Sequence, residues 1–256
     1  MPEQEPTSTT KCADIFLTCQ SASIGGALIQ RVSRQDKEFH FQNWFEERLK
    51  EANVHYDQKG RNSYPDFTLV QTPEGYEVKG LGWPGREVDY DCNSQVPSGY
   101  HNGRTIYYVF GRYPAAQTEE EYPVIDLVIC QGDFLNAEHD YVHKNKSFQG
   151  FGSYGDIKIR DRKMYIAPTP YGLISGADRQ ITLILPEDYP PHAQLEAVGQ
   201  LTRIEADRLV IGYSFNMMNN ELTPEFRDNP SARKINSFVA YRAKGTNGPK
   251  VSMKNS

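Results

Sequence analysis

Residues 64–80 read YPDFTLVQTPEGYEVKG, and this stretch decides how the fold is interpreted. Two segments with strand character, residues 67–70 and 76–79, are separated by residues 71–75, which contain a proline and a glycine. Short β-prone runs on either side of such a breaker are typical of a hairpin. We therefore predict two adjacent antiparallel strands here.

Three charged side chains in this hairpin are not needed to form strands. Glu77 and Lys79 share one face of the second strand because side chains alternate faces, and Asp66 begins the first strand. Two converging carboxylates repel each other unless a divalent cation lies between them, and hard oxygen ligands suit Mg²⁺. An adjacent lysine can hold a water and stabilise charge on a phosphate. The alternative is a solvent-facing ladder of Glu77 and Lys79, with Asp66 as a turn residue.

The register of the hairpin determines whether the two acids can meet. A turn centred on Pro73 and Glu74 would place Asp66 about four residues beyond Glu77, a distance of ~13 Å along a flat ladder. One ion cannot bridge that distance, so this register would require twist, a bulge or a bent strand near Asp66.

The hairpin resembles the signature of the PD-(D/E)XK nuclease superfamily. Pro65-Asp66 matches the PD element, and Glu77-Val78-Lys79 matches (D/E)XK. The resemblance implies that Asp66 and Glu77 bind Mg²⁺, with the carbonyl of Val78 as a further ligand, and that Lys79 assists the attacking water. Such nucleases often carry another acid on the helix before the hairpin. Here Gln42 occupies the corresponding place and Glu47 lies further along the helix, so these two are the candidate helix contributors.

The rest of the chain fits one α/β domain. Apolar residues at helical spacing predict a helix over residues 34–52, and residues 106–110 and 124–130 have strong strand character. Residues 192–206 have a helical pattern. The order of helix, hairpin and two further strands agrees with the α-β-β-β core of the family. We therefore expect a restriction-endonuclease-like core with a mixed central β-sheet flanked by helices.

Two polar segments are candidates for contact with DNA. Residues 91–104 form a loop rich in small polar side chains, and residues 144–163 are the most basic part of the chain. Such residues can follow phosphates or read base edges. The alternatives are an ordinary turn cluster for the first segment and a charged exposed strand for the second. The candidate contact residues are Asn93, Ser94, His101, Arg104, Lys158, Arg160, Asp161, Arg162 and Lys163.

Bulk composition limits the function classes. The net charge of −5 argues against a passive nucleic-acid binder but permits an enzyme with a local basic cleft. The four cysteines have no CxxC spacing, so we expect reduced thiols and no zinc ribbon. We expect a disordered segment at residues 1–10, a single domain at residues 11–244 and a flexible tail at residues 245–256. The polar start and the short apolar runs predict a cytoplasmic protein without a membrane span.

These features together resemble a type II restriction endonuclease. The resemblance implies a Mg²⁺-dependent homodimer that cuts double-stranded DNA at a short sequence, leaving 5′-phosphate ends, with a cognate DNA methyltransferase as its genetic partner. Two alternatives remain: a repair or phage nuclease on the same scaffold without sequence specificity, and a noncatalytic DNA-binding protein.

Overall fold

The computed structural model describes residues 10–31, 37–58, 64–85, 87–93, 96–116, 119–137, 149–161, 164–216, 218–219 and 221–254. The prediction of disorder for residues 1–10 therefore lies outside the described residues, apart from Thr10. Within the described residues, no helix has the length and apolar character needed to span a membrane.

Helices are a minor part of the described structure. They are the α-helices α1 (Cys12–Ile24), α2 (Lys37–Glu51) and the short α3 (Pro170–Leu173), with a 3-10 helix at Gly132–Phe134. The strands are β1 (Leu28–Gln30), β2 (Tyr56–Asp57), β3 (Phe67–Leu69), β4 (Glu74–Trp83), β5 (Asp89–Asn93), β6 (Tyr100–His101), β7 (Arg104–Pro114), β8 (Glu121–Pro123), β9 (Asp126–Gln131), β10 (Gln149–Phe151), β11 (Ile157–Asp161), β12 (Met164–Pro168), β13 (Ile174–Ser175), β14 (Ile181–Pro186), β15 (Leu195–Ile204), β16 (Arg208–Asn216), β17 (Glu221–Asp228), β18 (Ile235–Ala243) and β19 (Ser252–Met253).

A mixed β-sheet forms the centre of the molecule. Its strand order is β15-β18-β14-β9-β7-β4-β3-β2, and β6 pairs with the end of β7. The pairs β4–β7 and β9–β14 are parallel, whereas the other neighbours are antiparallel. The predicted α/β fold with a mixed central sheet is thus confirmed, as are the predicted hairpin and, for its described residues 37–51, the predicted helix.

The two faces of the central sheet are covered differently. On one face, buried side chains of α1 and α2 pack against the sheet in a single apolar cluster. On the other face, residues of β5 and β12 pack against the sheet in a second cluster. These strands belong to a four-stranded sheet of order β10-β11-β12-β5. Helices thus flank one face, and a second sheet rather than helices covers the other.

Helix α2 approaches the sheet closely where two glycines face each other. Gly80 of β4 is the register partner of Gly111 of β7. A Cβ atom built on Gly111 would lie 2.0 Å from Cζ of Phe41, and one on Gly80 would lie 3.0 Å from Cβ of the same residue. The missing side chains leave the space that the Phe41 ring fills, so α2 packs directly above the end of the charged hairpin.

The prediction of a helix over residues 192–206 is wrong, because residues 195–204 form strand β15 instead. This strand pairs with β18 along its whole length, from Leu195 opposite Ala243 to Ile204 opposite Ile235. The apolar residues of the segment fit a helix by spacing, but pairing with a neighbouring strand satisfies the backbone groups equally well. Local preference is overridden by tertiary pairing.

The end of the chain packs against the domain instead of extending as a loose tail. Val251 is buried, and its backbone N donates to the carbonyl of Val198 at 3.1 Å. Strand β19 pairs with β13. The side chain of the buried Arg242 donates to the carbonyl of Pro249 at 2.9 Å. The segment up to residue 254 is therefore part of the folded domain.

Candidate active site

The hairpin register brings the two predicted acidic ligands together. Phe67 of β3 lies opposite Tyr76 of β4, and the turn occupies residues 70–73. One step back along this register sets Asp66 opposite Glu77. The expected offset of ~13 Å was wrong because the turn is centred about two residues earlier than Pro73 and Glu74. Neither a bulge nor a bend is needed to bring the acids together.

Asp66 is held against the backbone of β4. Its Oδ2 accepts a hydrogen bond from the backbone N of Val78 at 2.8 Å, next in sequence to Glu77. Pro65 is buried over Gly75, where an added Cβ would lie only 2.6 Å from Cγ of the proline. The close contact between Pro65 and Gly75 therefore constrains the path of the chain where it enters β3, just before Asp66.

Glu77 and Lys79 form a largely buried ion pair. The Nζ of Lys79 lies 2.8 Å from Oε1 of Glu77, and the side chains are only 11% and 13% exposed, respectively. The other oxygen of Glu77, Oε2, is buried and accepts no hydrogen bond from the described residues. The alternative of a solvent-facing ladder is therefore wrong. A buried carboxylate oxygen without a donor is costly unless a cation or water meets it.

The pair lies on the face of the central sheet opposite to the helices. Tyr76 and Val78 point into the cluster that contains α1 and α2. Glu77 and Lys79 alternate with them and point the other way. In the parallel register they are the partners of Tyr108 and Phe110 of β7, which belong to the cluster beneath the second sheet.

Two tyrosines that sequence reasoning did not identify, Tyr64 and Tyr108, lie beside the acids together with His101, which was predicted as a DNA contact. The hydroxyl oxygens of Tyr64 and Tyr108 are 2.7 Å apart, and the ring of His101 meets that of Tyr64 edge-on at 4.9 Å between centroids. Burial raises the pKa of Tyr64, and the nearby charge of Glu77 raises it further. Burial lowers the pKa of His101. The signal in the sequence was Tyr64 immediately before Pro65-Asp66.

Cys92 of β5 lies close to the ion pair. Burial raises the pKa of its thiol to about 12, opposed by the positive charge of Lys79. The second sheet therefore reaches the immediate surroundings of the ion pair. All four cysteines are buried and free, in keeping with the expectation of reduced thiols.

The residues present fit one hard cation better than a larger metal cluster. Within the described residues there is no group of three or more His, Cys, Asp or Glu side chains that would hold a metal ion. The candidate ligands are the carboxylates of Asp66 and Glu77, including the buried Oε2 without a donor, and the carbonyl of Val78. Mg²⁺ commonly binds through one or two carboxylates and keeps several waters, so this set suits it.

The helix candidates are not brought to the ion pair. Glu47 lies on the exposed side of α2, where Oε1 is 2.8 Å from Nζ of Lys50. Gln42 is buried within the same helix. Because α2 packs on the face opposite to Glu77, neither residue faces the pair across the sheet.

The predicted DNA-contacting residues are divided between two sheets: His101 and Arg104 lie in β6 and β7 of the central sheet, and others lie in the second sheet. Asn93 ends β5, and Lys158, Arg160 and Asp161 lie in β11, with β12 between these strands. Lys158 is exposed, with Nζ 3.8 Å from Oδ2 of Asp89. The side chains of Asn93, Arg160 and Asp161 lie outside the described structure, as do Ser94, Arg162 and Lys163 entirely.

Arg104 has partners within the hairpin. Its Nη1 donates to the carbonyl of Leu69 at 2.8 Å and to that of Thr72 at 3.2 Å. The guanidinium therefore stabilises the turn that sets the register of the two acids. Contact between Arg104 and phosphate stays a prediction.

Comparison with known proteins finds no family model, no curated protein and no solved structure that matches the chain.

Proposed function

We propose that the protein is a Mg²⁺-dependent endonuclease with a PD-(D/E)XK site. The observation that carries the proposal is the hairpin register that sets Asp66 opposite Glu77, with the ammonium of Lys79 at 2.8 Å from Glu77 and one buried carboxylate oxygen lacking a donor. Two acids that can hold a metal ion, with a lysine beside them, suit metal-assisted hydrolysis of a phosphodiester.

The side chains have separate roles in this proposal. Asp66 and Glu77 would hold the ion, together with the carbonyl of Val78. When bound, Mg²⁺ would polarise the phosphate and lower the pKa of a bound water. Lys79 orients the attacking water and stabilises negative charge that develops on the phosphate. The water attacks phosphorus in line, and the broken bond leaves a 5′-phosphate and a 3′-hydroxyl.

The surroundings support double-stranded DNA as the substrate. The strand that carries the exposed Lys158 belongs to the sheet that packs against the face of the ion pair, so the basic segment starts from that face in a protein with net charge −5. The order α2, β3, β4, β7 also agrees with the α-β-β-β core of the family. We extend the proposal to a type II restriction endonuclease that acts as a homodimer at a short sequence, with a cognate methyltransferase in the cell.

Plasmid digestion tests both the activity and its alternatives. We expect Mg²⁺-dependent cutting into discrete bands, with none in EDTA and none with Ca²⁺ alone. A smear or loss from the ends would instead indicate a nuclease without sequence specificity. Binding without any cutting would indicate a noncatalytic DNA-binding protein. Sequencing the ends of the fragments would establish the recognition site and the end chemistry.

Site variants assign the roles. Asp66→Asn, Glu77→Gln and Lys79→Ala are each expected to lower the cleavage rate by about 10²-fold or more while DNA binding is retained. Glu121→Gln, which removes an exposed carboxylate on β8, serves as the matched control and should cut like the wild type. Full activity of Glu77→Gln and Lys79→Ala would contradict the assignment.

A further inference from the structure

A row of register partners crosses the central sheet on the face that carries the ion pair. Glu77 of β4 lies beside Tyr108 of β7, and Tyr108 lies beside Cys130 of β9. Partners in register point to the same face of a sheet, so all three side chains face the second sheet. Tyr108 and Cys130 belong to the buried cluster between the two sheets. The carboxylate of Glu77 is therefore next to a layer that β5 and β12 close from the other side.

Tyr90 of β5 covers this row from the second sheet. Its ring centroid lies 6.1 Å from that of Tyr108 and 5.0 Å from that of Phe110, which are the register partners of Glu77 and Lys79. Tyr90 is only 3% exposed. Burial raises the pKa of its hydroxyl well above the ordinary value, and the charge of Glu77 is among the smaller effects that raise it further. The hydroxyl therefore keeps its proton and remains a hydrogen-bond donor near Glu77.

Two polar atoms in this layer lack a partner among the described residues. The hydroxyl of Tyr90 and Oε2 of Glu77 are both buried, and neither makes a hydrogen bond to a described group. By contrast, the hydroxyl oxygens of Tyr64 and Tyr108 are paired at 2.7 Å, and Oε1 of Glu77 lies 2.8 Å from Nζ of Lys79. One of the two unpaired atoms belongs to a donor and the other to an acceptor. Leaving both unpaired is costly, whereas one buried water between them satisfies both.

The pair of Tyr64 and Tyr108 offers such a water a third partner. Only one of these hydroxyls donates to the other, so the second hydroxyl has a hydrogen left to donate. The pair lies beside the carboxylate, because the charge of Glu77 raises the pKa of Tyr64 after the larger effect of burial. Buried waters typically make about three hydrogen bonds to groups that are otherwise unsatisfied. The donors and the acceptor around this position suit one water.

We propose that Tyr90 is a positioning residue of the candidate site, which donates through one buried water to Oε2 of Glu77 and so sets the orientation of the carboxylate. The inference rests on the proposed function, because that function assigns Mg²⁺ binding to this carboxylate. An ionised carboxylate oxygen can accept from the water and still face the ion, since it has two lone pairs. Groups that orient a metal ligand in this way change metal affinity about 10–100-fold when they are removed.

Tyr90→Phe tests the inference, with Mg²⁺ titrated into the full chain by calorimetry in the absence of DNA. The variant removes one hydroxyl and keeps the ring that packs on Tyr108 and Phe110. We expect its dissociation constant for Mg²⁺ to rise about tenfold or more. In EDTA its Tm should fall by about 2–4 °C, because a hydrogen-bonded hydroxyl is lost.

Tyr122→Phe is the matched control, since it removes a buried hydroxyl that lies 3.0 Å from Nδ1 of His40 in the cluster packed against the helices. It should lower Tm to a similar extent and leave Mg²⁺ affinity unchanged. If the Tm of Tyr90→Phe equals or exceeds that of the wild type, the hydroxyl has no partner and the inference is wrong. A lower Tm with unchanged Mg²⁺ affinity would also overturn it, because Tyr90 would then act on stability alone. A wild type that binds Mg²⁺ no better than Glu77→Gln would refute the proposed function itself, and the inference with it.

Discussion

Replacing Lys79 with methionine should reveal what the buried ion pair contributes. Two unit charges 2.8 Å apart attract by ~6 kcal/mol at an effective dielectric constant of about 20, and part of this offsets the cost of burying both groups. Methionine keeps much of the apolar part of the lysine side chain and lacks only the ammonium. The carboxylate of Glu77 is therefore left buried without its positively charged partner. Such truncations of one partner cost about 3–5 kcal/mol. Because each side chain keeps slight exposure, we expect a loss of ~3 kcal/mol.

The assay is thermal unfolding with and without Mg²⁺. A loss of ~3 kcal/mol corresponds to a fall in Tm of about 8 °C for a domain of this size. The ion and the ammonium share one carboxylate in our proposal, so Mg²⁺ should bind Lys79→Met more tightly than the wild type. At a concentration 100 times Kd, the ion would restore ~2.7 kcal/mol to the variant.

Two control variants make the result decisive. Lys50→Met removes an ammonium at the same distance of 2.8 Å from Glu47, but that pair is more than half exposed, so the expected loss is below about 0.5 kcal/mol. Glu77→Gln combined with Lys79→Met should abolish the stabilisation by Mg²⁺. A loss below about 1 kcal/mol in Lys79→Met would refute the buried-pair reasoning. Equal stabilisation of the variant and the wild type by Mg²⁺ would refute the shared ion.

Gly111→Ala should lower the free energy of unfolding by about 1–3 kcal/mol, because its Cβ would lie 2.0 Å from Cζ of Phe41. Chemical denaturation of a double-mutant cycle with Phe41→Leu should show coupling, and simple additivity would contradict the clash. Burial raises the pKa of Glu74 above its ordinary value of 4.5. Hydrogen bonds from the backbone N of Lys11 and the hydroxyl of Tyr76 lower this pKa, but burial has the larger effect. Ionisation of Glu74 therefore costs more in the folded state, so wild-type stability should fall as pH rises from 4.5 through the raised pKa. Glu74→Gln, measured by urea unfolding across pH, should lack that component of the fall, and parallel curves would contradict it.

The local elements with strong patterns were predictable. Helix α2 follows from apolar residues at helical spacing, and its described part, Lys37–Glu51, lies within the predicted 34–52. The hairpin of β3 and β4 follows from two β-prone runs around a breaker, although β4 continues to Trp83, beyond the predicted strand. These patterns depend on neighbours in sequence, so the sequence alone carries them.

The turn centre and the strand β15 were not predictable in the same way. Pro73 and Gly75 indicate a break between the strands, but they do not define the centre of the turn. An error of two residues in the turn centre shifts the residue opposite Asp66 by four positions along β4. Residues 195–204 have a helical pattern, but β18 provides a pairing partner that no local rule contains. Register and pairing are relations between distant residues.

The sequence by itself determined which charged groups the proposed site contains: Asp66, Glu77 and Lys79, in a spacing that places two of them on one face of a strand. Only the tertiary structure decided that Asp66 reaches Val78, that Glu77 and Lys79 are buried, and that β5 closes over them. The physical reason is that side-chain alternation is set within a strand, whereas burial, desolvation and the meeting of two acids depend on which surfaces pack together.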